Sequence, residues 1–402
     1  MWPFRTPNRL HKVVSPVCST LFLLSLGCVT KNGLYCTDPK DCESGDCVGY
    51  EPNVRAGTCM EPIGLSSKQC TLIERCADGS MPTRSFGQYV TIVSLSSIDS
   101  NFSLVGAFDQ GVSVCSKSTM GAIKDILDGV GNPVPAGPIA ALSTPETWIS
   151  VDPTQNRAFH ISTSASPDGN QVIFPAGSRI SSVAASKSWL GVADATNRYL
   201  WLWKTSAFSP ATVVPSVSQY TETQYGKTIA ISDSQIAVKS ATAVHLYDID
   251  SATKPLREQT IKRPDRASAD FGSSLGLSAL GLFVSENTQQ SIGRTIWWYP
   301  KGSQEAQAMP VPSRYSATNQ PGVLGYGSTL STTDTRIALG IPGQADVVVI
   351  ERASDTWQEL RLDHRGQAPS QSSRFGAALA MDGNLLAVGA PGEGSIYVYD
   401  CK

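Results

Sequence analysis

From residue 86 to the C-terminus one pattern recurs every 45 residues or so, about the length of a four-stranded propeller blade, and it constrains the fold more than any other feature of the chain. The clearest copy is the last. Phe375-Gly376 opens it, and AALAMDGNLLAVGAPGEGSIYVYD then carries the chain to Asp400. An apolar strand, a Asp-Gly-Asn turn, the strand LLAVGAP, a glycine turn and the alternating strand SIYVYD follow one another, the signature of short antiparallel strands joined by tight turns. Weaker copies open at Phe86-Gly87, Tyr225-Gly226, Phe271-Gly272 and Tyr326-Gly327. Two degenerate copies run from Ile139 to Trp148 and from Ile180 to Trp189 in the same frame. A unit of this length cannot bury its apolar face alone, so consecutive copies must stack around a common axis.

The final copy stops after its third strand, at Lys402, whereas Trp357–Leu362 supplies a fourth strand to the copy before it. Leu362 precedes Phe375 by 13 residues, and Ile73 precedes Phe86 by the same 13. The segment 69–76 is therefore expected to complete the last unit and close the ring, since an unfilled edge would leave backbone groups unpaired. Cys401 ends the third strand and Cys70 begins the segment that would run antiparallel to it, which predicts a Cys70–Cys401 disulfide. In the chain-entropy description such a closure is worth roughly 4–5 kcal/mol.

The Phe-Gly openings together with Gly389-Ala390-Pro391 resemble the FG-GAP repeat of integrin α-chain propellers and related extracellular propellers. The resemblance spans residues 86–402 and implies an all-β, seven-bladed β-propeller that binds proteins or matrix through loops on one face and is not an enzyme. Fold does not fix function, so that implication is an expectation.

The N-terminus carries an address. Arg5, Arg9, His11 and Lys12 precede an apolar run from Val13 to Leu26, too short to span a bilayer. The run ends in Leu24-Ser25-Leu26-Gly27-Cys28, which resembles a bacterial lipobox although Leu26 and Ser25 depart from the usual residues. A lipoprotein signal, ordinary signal-peptidase cleavage and an uncleaved anchor all export the chain, with Cys28 the lipidation site in the first case. Three regions follow: a signal peptide over 1–27, a Cys-rich leader over 28–68, and the propeller over 69–402. The expected location is the cell envelope, as an outer-membrane lipoprotein, or the medium.

Cysteine usage agrees with export. Ten are present; apart from Cys18 and Cys28, eight remain, namely Cys36, Cys42, Cys47, Cys59, Cys70, Cys76, Cys115 and Cys401. An even number in an exported chain is read as a disulfide framework. Cys36 to Cys59 enclose Asp-Pro, Ser-Gly and Ala-Gly turn signals, a small stapled segment with little core. Cys76 and Cys115 are left to each other by parity, yet their strand directions point them to opposite faces.

Chemistry is sparse. Lys+Arg 32 against Asp+Glu 34 gives a net charge of −2, which leaves no basic surplus for nucleic acid. Gly272-Ser273-Ser274-Leu275-Gly276 fits the G-x-S-x-G pattern but overlies the first strand of a repeat, where an α/β-hydrolase needs a strand-to-helix turn. Calcium loops of the D-x-D-x-D-G type are absent; Asp382-Gly383-Asn384, Asp168-Gly169-Asn170 and Asp248-Ile249-Asp250 each lack ligands, so no cofactor is expected, with calcium as the alternative. His160, His245 and His364 sit in different repeats. Aromatic pairs two residues apart (Trp201 and Trp203, His245 and Tyr247, Trp297 and Tyr299, Tyr397 and Tyr399) lie on single strand faces and suit packing between units. Trp298 interrupts that alternation and is the residue singled out for ligand stacking. The expected partner is an extracellular or envelope protein, with a glycan and a lectin-like role as the alternative.

Overall fold

The computed structural model describes residues 63–77, 178–205, 212–214, 223–249, 258–264, 271–286, 296–310 and 326–402, with Pro312, Tyr315, Pro138, Phe174 and the strands named below that precede Phe174. Apart from Tyr315, none of these residues is α-helical. In the leader, β1 (Tyr35–Cys36), β2 (Cys47–Val48) and β3 (Gly57–Cys59) form a small sheet in the order β1-β3-β2. A long strand, β4 (Gly64–Ala77), comes next.

Five four-stranded antiparallel meanders follow. The first comprises β5 (Tyr89–Ser94), β6 (Phe102–Phe108), β7 (Gly111–Ser116) and β8 (Ile123–Asp125). The second comprises β9 (Ile139–Ala141), β10 (Thr147–Asp152), β11 (Arg157–Ser162) and β12 (Asn170–Ile173). The third is β13 (Ile180–Ala185), β14 (Trp189–Asp194), β15 (Tyr199–Lys204) and β16 (Thr212–Val214), and the fourth β17 (Ile229–Ile231), β18 (Gln235–Lys239), β19 (Ala243–Asp248) and β20 (Glu258–Lys262). The fifth is β21 (Phe271–Ser278), β22 (Gly281–Glu286), β23 (Ile296–Pro300) and β24 (Gln307–Ala308). An eight-stranded sheet completes the chain. It joins β25 (Thr329–Thr332), β26 (Arg336–Ile341), β27 (Asp346–Ala353) and β28 (Thr356–Asp363) through β4 to β31 (Ser395–Cys401), β30 (Leu385–Ala390) and β29 (Ala378–Asp382). The first strand of each meander packs against the first strand of the next, and β29 packs against β5, the arrangement of a β-propeller.

The core lies between sheets. Middle strands such as β14, β22 and β26 are buried along their whole length, because each faces a neighbouring sheet on both sides. That explains why LLAVGAP-like segments read as continuous apolar runs while the outer β28 is buried only at Glu359 and Leu360. Leu202, Tyr225, Ile236 and Tyr247 fill one gap, Phe271, Leu275, Val284 and Tyr299 the next, and Phe283, Ile296, Ile337 and Val348 the one after. The aromatic pairs do what their spacing predicts: Trp201 and Trp203 both pack on Phe174, at ring distances of 5.0 and 6.0 Å.

The Phe/Tyr-Gly openings are structural. Tyr225, Phe271, Tyr326 and Phe375 are all buried, and each following glycine has a left-handed backbone. At Gly376, φ is +89°, its N–H donates to the Gly389 carbonyl at 3.0 Å, and a Cβ would sit 2.8 Å from the Asp346 carbonyl oxygen. Only glycine fits a turn that tight, so the dipeptide places the ring in the gap and reverses the chain in one step.

β4 departs from expectation in its extent. Its antiparallel half pairs with β31, setting Cys401 opposite Cys70 and Ile396 opposite Cys76. The strand begins at Gly64, earlier than the segment 69–76, because it also runs parallel to β28, with Gly64 beside Gln358 and Leu362 beside Cys70. The Cys70–Cys401 disulfide is present, spanning 331 residues of sequence, and both cysteines are fully buried. Cys76 is disulfide-bonded too, to a partner outside the described residues. The sulfurs of Cys36, Cys47, Cys59 and Cys115, and the whole of Cys28 and Cys42, also lie outside them.

Candidate functional site

A cleft of about 690 Å³ opens between the outer part of the fifth meander and the β27–β28 hairpin. Its lining comes from the β21–β22 turn (Leu280), the end of β23 (Trp298, Pro300, Lys301), β24 and its exit (Gln307, Ala308, Pro310), and the hairpin (Arg352, Asp355, Trp357). Local sequence creates the gap. Pro300 and Pro310 lack an N–H to extend a ladder, and β24 is only two residues long, so β23 is barely covered at its outer edge. Opposite, Ala353 pairs with Thr356 across a two-residue turn in which Ser354 has φ +56°, which brings Arg352 and Trp357 side by side.

Trp298 sits at the base of the cleft and is 7% exposed. Its ring stacks on Phe283 at 6.4 Å and 13°, meets Trp357 edge-on at 5.3 Å, and lies 4.4 Å from the Arg352 guanidinium carbon. The indole N–H donates to the Leu280 carbonyl at 3.0 Å. Trp298, the residue expected to stack on a ligand, thus lines the floor of the cleft with Phe283 and Arg352 against its ring. The apparent break in alternation arises because β23 is buried on both sides, with Trp297 and Tyr299 facing the fourth meander and Trp298 facing the sixth set of strands.

Arg352, its side chain 23% exposed, is the cation at the centre of the cleft. Its guanidinium is also 5.4 Å from the Trp357 ring centre, so two indoles hold the cation. Its oxygen contacts are long: Nε donates to the Ser354 carbonyl at 3.4 Å, and Nη2 lies 3.6 Å from the Asp355 carboxylate, whose side chain is 100% exposed. Sequence reasoning treated Trp357 as a strand residue and passed over Arg352. No local pattern marks them, since their partner Trp298 comes from another sheet.

A second polar cluster is structural. Arg336 donates from Nε and Nη2 to Glu351 at 3.0 and 2.8 Å and from Nη1 to Asn384 at 2.9 Å, while Lys68 of β4 donates to the other Glu351 oxygen at 2.8 Å. Burial opposes ionisation of Glu351, but hydrogen bonds and positive charge from Lys68 and Arg336 outweigh it and hold the carboxyl below the usual range. Asn384 of the Asp382-Gly383-Asn384 turn thus spends its carbonyl oxygen on an arginine.

The histidines are similarly committed. His245 is buried with Nε2 3.1 Å from the Ser240 hydroxyl, and His364 Nδ1 is 2.7 Å from the Tyr399 hydroxyl. Burial pushes the His364 imidazole down, against the pull of Asp346 and Asp363, and pushes the Tyr399 phenol up. Ser274 lies within β21, and its backbone N–H donates to the Ser285 hydroxyl at 2.8 Å; the strand-to-helix turn of a nucleophile elbow is not there. Among the described residues no group of three His, Cys, Asp or Glu side chains is placed to hold a metal ion.

No protein-family model matches the sequence, and no curated protein matches it. Solved structures do resemble it in fold. A streptogramin B lyase superposes with a TM-score of 0.52 at 12% identity, covering 82% of this chain and 97% of that one. The β-propeller domain of Cps50 (Swd1) from Myceliophteria thermophila gives 0.51 at 13% identity, covering 82% and 100%. A catalytically inactive virginiamycin B lyase from Staphylococcus aureus with quinupristin gives 0.51 at 10%, covering 81% and 98%. At these identities the likeness extends to the propeller fold alone.

Proposed function

We propose that this chain is an exported, seven-bladed propeller of the FG-GAP type that works as a non-enzymatic binding scaffold at the cell surface, tethered through a lipid on Cys28. The observation that carries export is the buried Cys70–Cys401 disulfide, with Cys76 in a further one, since such bonds persist in oxidising compartments. The count of seven is supported by dividing the eight-stranded sheet at the parallel β28–β4 seam, a division that gives each half four strands with β4 outermost in the last blade. The buried Phe/Tyr-Gly rings support the FG-GAP assignment.

The binding role is supported by a preformed cleft of ligand size with two cations on aromatic and proline walls. A lyase among the fold neighbours does not carry enzymatic activity to this chain, because at 12% identity the likeness reaches the fold alone. The test is the intact mass of the mature protein from an exporting bacterial host, before and after reduction and alkylation. A chain starting at Cys28 with acyl groups, and eight thiols that appear only on reduction, is expected. Free thiols in the native protein would overturn the exported reading, and an unlipidated N-terminus would remove the tether.

A further inference from the structure

Resting on the reading of the chain as a protein-binding scaffold, we propose that the Arg352–Trp298–Trp357 cleft docks an extended segment of a partner protein in which apolar side chains alternate with carboxylates. Arg352 and Lys301 take the carboxylates, and Leu280, Pro300, Ala308, Pro310 and the exposed part of Trp357 take the apolar side chains.

Three observations lead there. The charge balance of the lining is two cations against one carboxylate, and that carboxylate, on Asp355, is fully exposed and 3.6 Å away. Arg352 is held by two indoles, so little side-chain freedom remains to be lost when it meets an anion, and its planar fork suits a bidentate carboxylate. Lys301 is exposed and has no ion pair among the described residues. The third observation selects a peptide over a sugar. A pyranose needs an open indole face, and Trp298 has its faces against Phe283 and Arg352. An extended peptide needs a free strand edge, and β24 is the last strand of its sheet, paired among the described residues with Trp297 and Trp298 on its inner side.

Asp355 then acts as a local counter-ion that competes with the ligand, which gives the proposal an unusual sign. Calorimetric titration of the mature protein with a blocked pentapeptide of alternating Leu and Asp, and with its Leu/Asn twin, is the experiment. The acidic peptide is expected to bind at least tenfold more tightly than the amide twin, and less tightly as salt is added. Arg352→Gln and Lys301→Gln should each weaken it several-fold, whereas Asp355→Asn should tighten it several-fold. A gain of affinity in that variant cannot come from misfolding, and Lys301 is peripheral to the fold. Equal binding of the two peptides, absence of binding, or insensitivity to Arg352→Gln would overturn the proposal, as would an acidic oligosaccharide that shows the Arg352 dependence in place of the peptide. If a surface partner captured by cross-linking is retained by the Arg352→Gln/Lys301→Gln double variant, the scaffold reading stands and the cleft assignment fails.

Discussion

Cys70 and Cys401, 331 residues apart in sequence, are opposed residues of the β4–β31 ladder and are joined covalently at its end. The bond converts a ring held by hydrogen bonds into one that opens only after a covalent step. A Cys70→Ser/Cys401→Ser variant is expected to unfold at lower denaturant, with a loss of about 2–5 kcal/mol and a larger m-value, because its unfolded chain is no longer cross-linked. Because both sulfurs are buried, a mild reductant should leave the native protein intact until unfolding begins. Urea titrations with and without dithiothreitol check both points.

Gly376 and Gly302 share a left-handed backbone, at φ +89° and +81°, but differ in surroundings. A Cβ at Gly376 meets the Asp346 carbonyl at 2.8 Å, whereas one at Gly302 meets nothing within 4 Å. Gly302→Ala should cost about 1 kcal/mol, the conformational share alone, and Gly376→Ala clearly more, on the order of 3 kcal/mol. Similar losses in the two variants, measured by denaturant melts, would mean that close packing at the Phe-Gly turn contributes nothing.

Acid should weaken the β4 seam. Glu351 has a depressed carboxyl, so its contribution is fully present above the ordinary carboxylate pKa, about 4.3, and is lost as pH falls through the lower folded value. Glu351→Gln should cost roughly 3 kcal/mol at neutral pH, by leaving Arg336 without its anion, and should flatten the fall in stability below about pH 4. A slope identical to the parent chain's would remove Glu351 from the acid response.

His364 acts at milder pH. Its imidazole is depressed in the folded protein, so the unfolded chain binds the extra proton first and stability falls as pH drops below about 6.5. In the imidazolium both ring nitrogens donate, so Nδ1 then donates to the Tyr399 hydroxyl, which burial keeps protonated. Thermal melts at pH 7.5 and 5.5 should differ more for the parent than for His364→Gln, and equal differences would exclude the histidine.

The residues that made the fold legible are those whose roles are local. Phe375-Gly376 announces a buried ring and a left-handed turn in two letters, and the frame shared by Ile73 and Leu362 placed β4 because strand spacing repeats from unit to unit. The first half of β4 was hidden, since pairing between Gly64 and Gln358 depends on parallel register across two distant segments. The cleft was hidden for the same reason. Trp298 stood out for an irregular pattern, and its meaning changed once both faces of β23 proved to be covered; Arg352 and Trp357 acquire significance only from the strand packed beside them.

The two-sided pairing of β4 has a mechanical consequence. The chain enters it at Gly64, within the last residues of the Cys-rich leader, so tension drawn along the leader reaches the propeller through this strand. It meets the parallel ladder to β28 first and the antiparallel ladder to β31 next, both lying along the pull, so their hydrogen bonds strain together in shear and do not peel one by one. Within that run, the tie between Cys70 and Cys401 hands the force to the chain's own far end. A tether attached to the leader would tug on one seam while the remaining strands of the ring keep their shape.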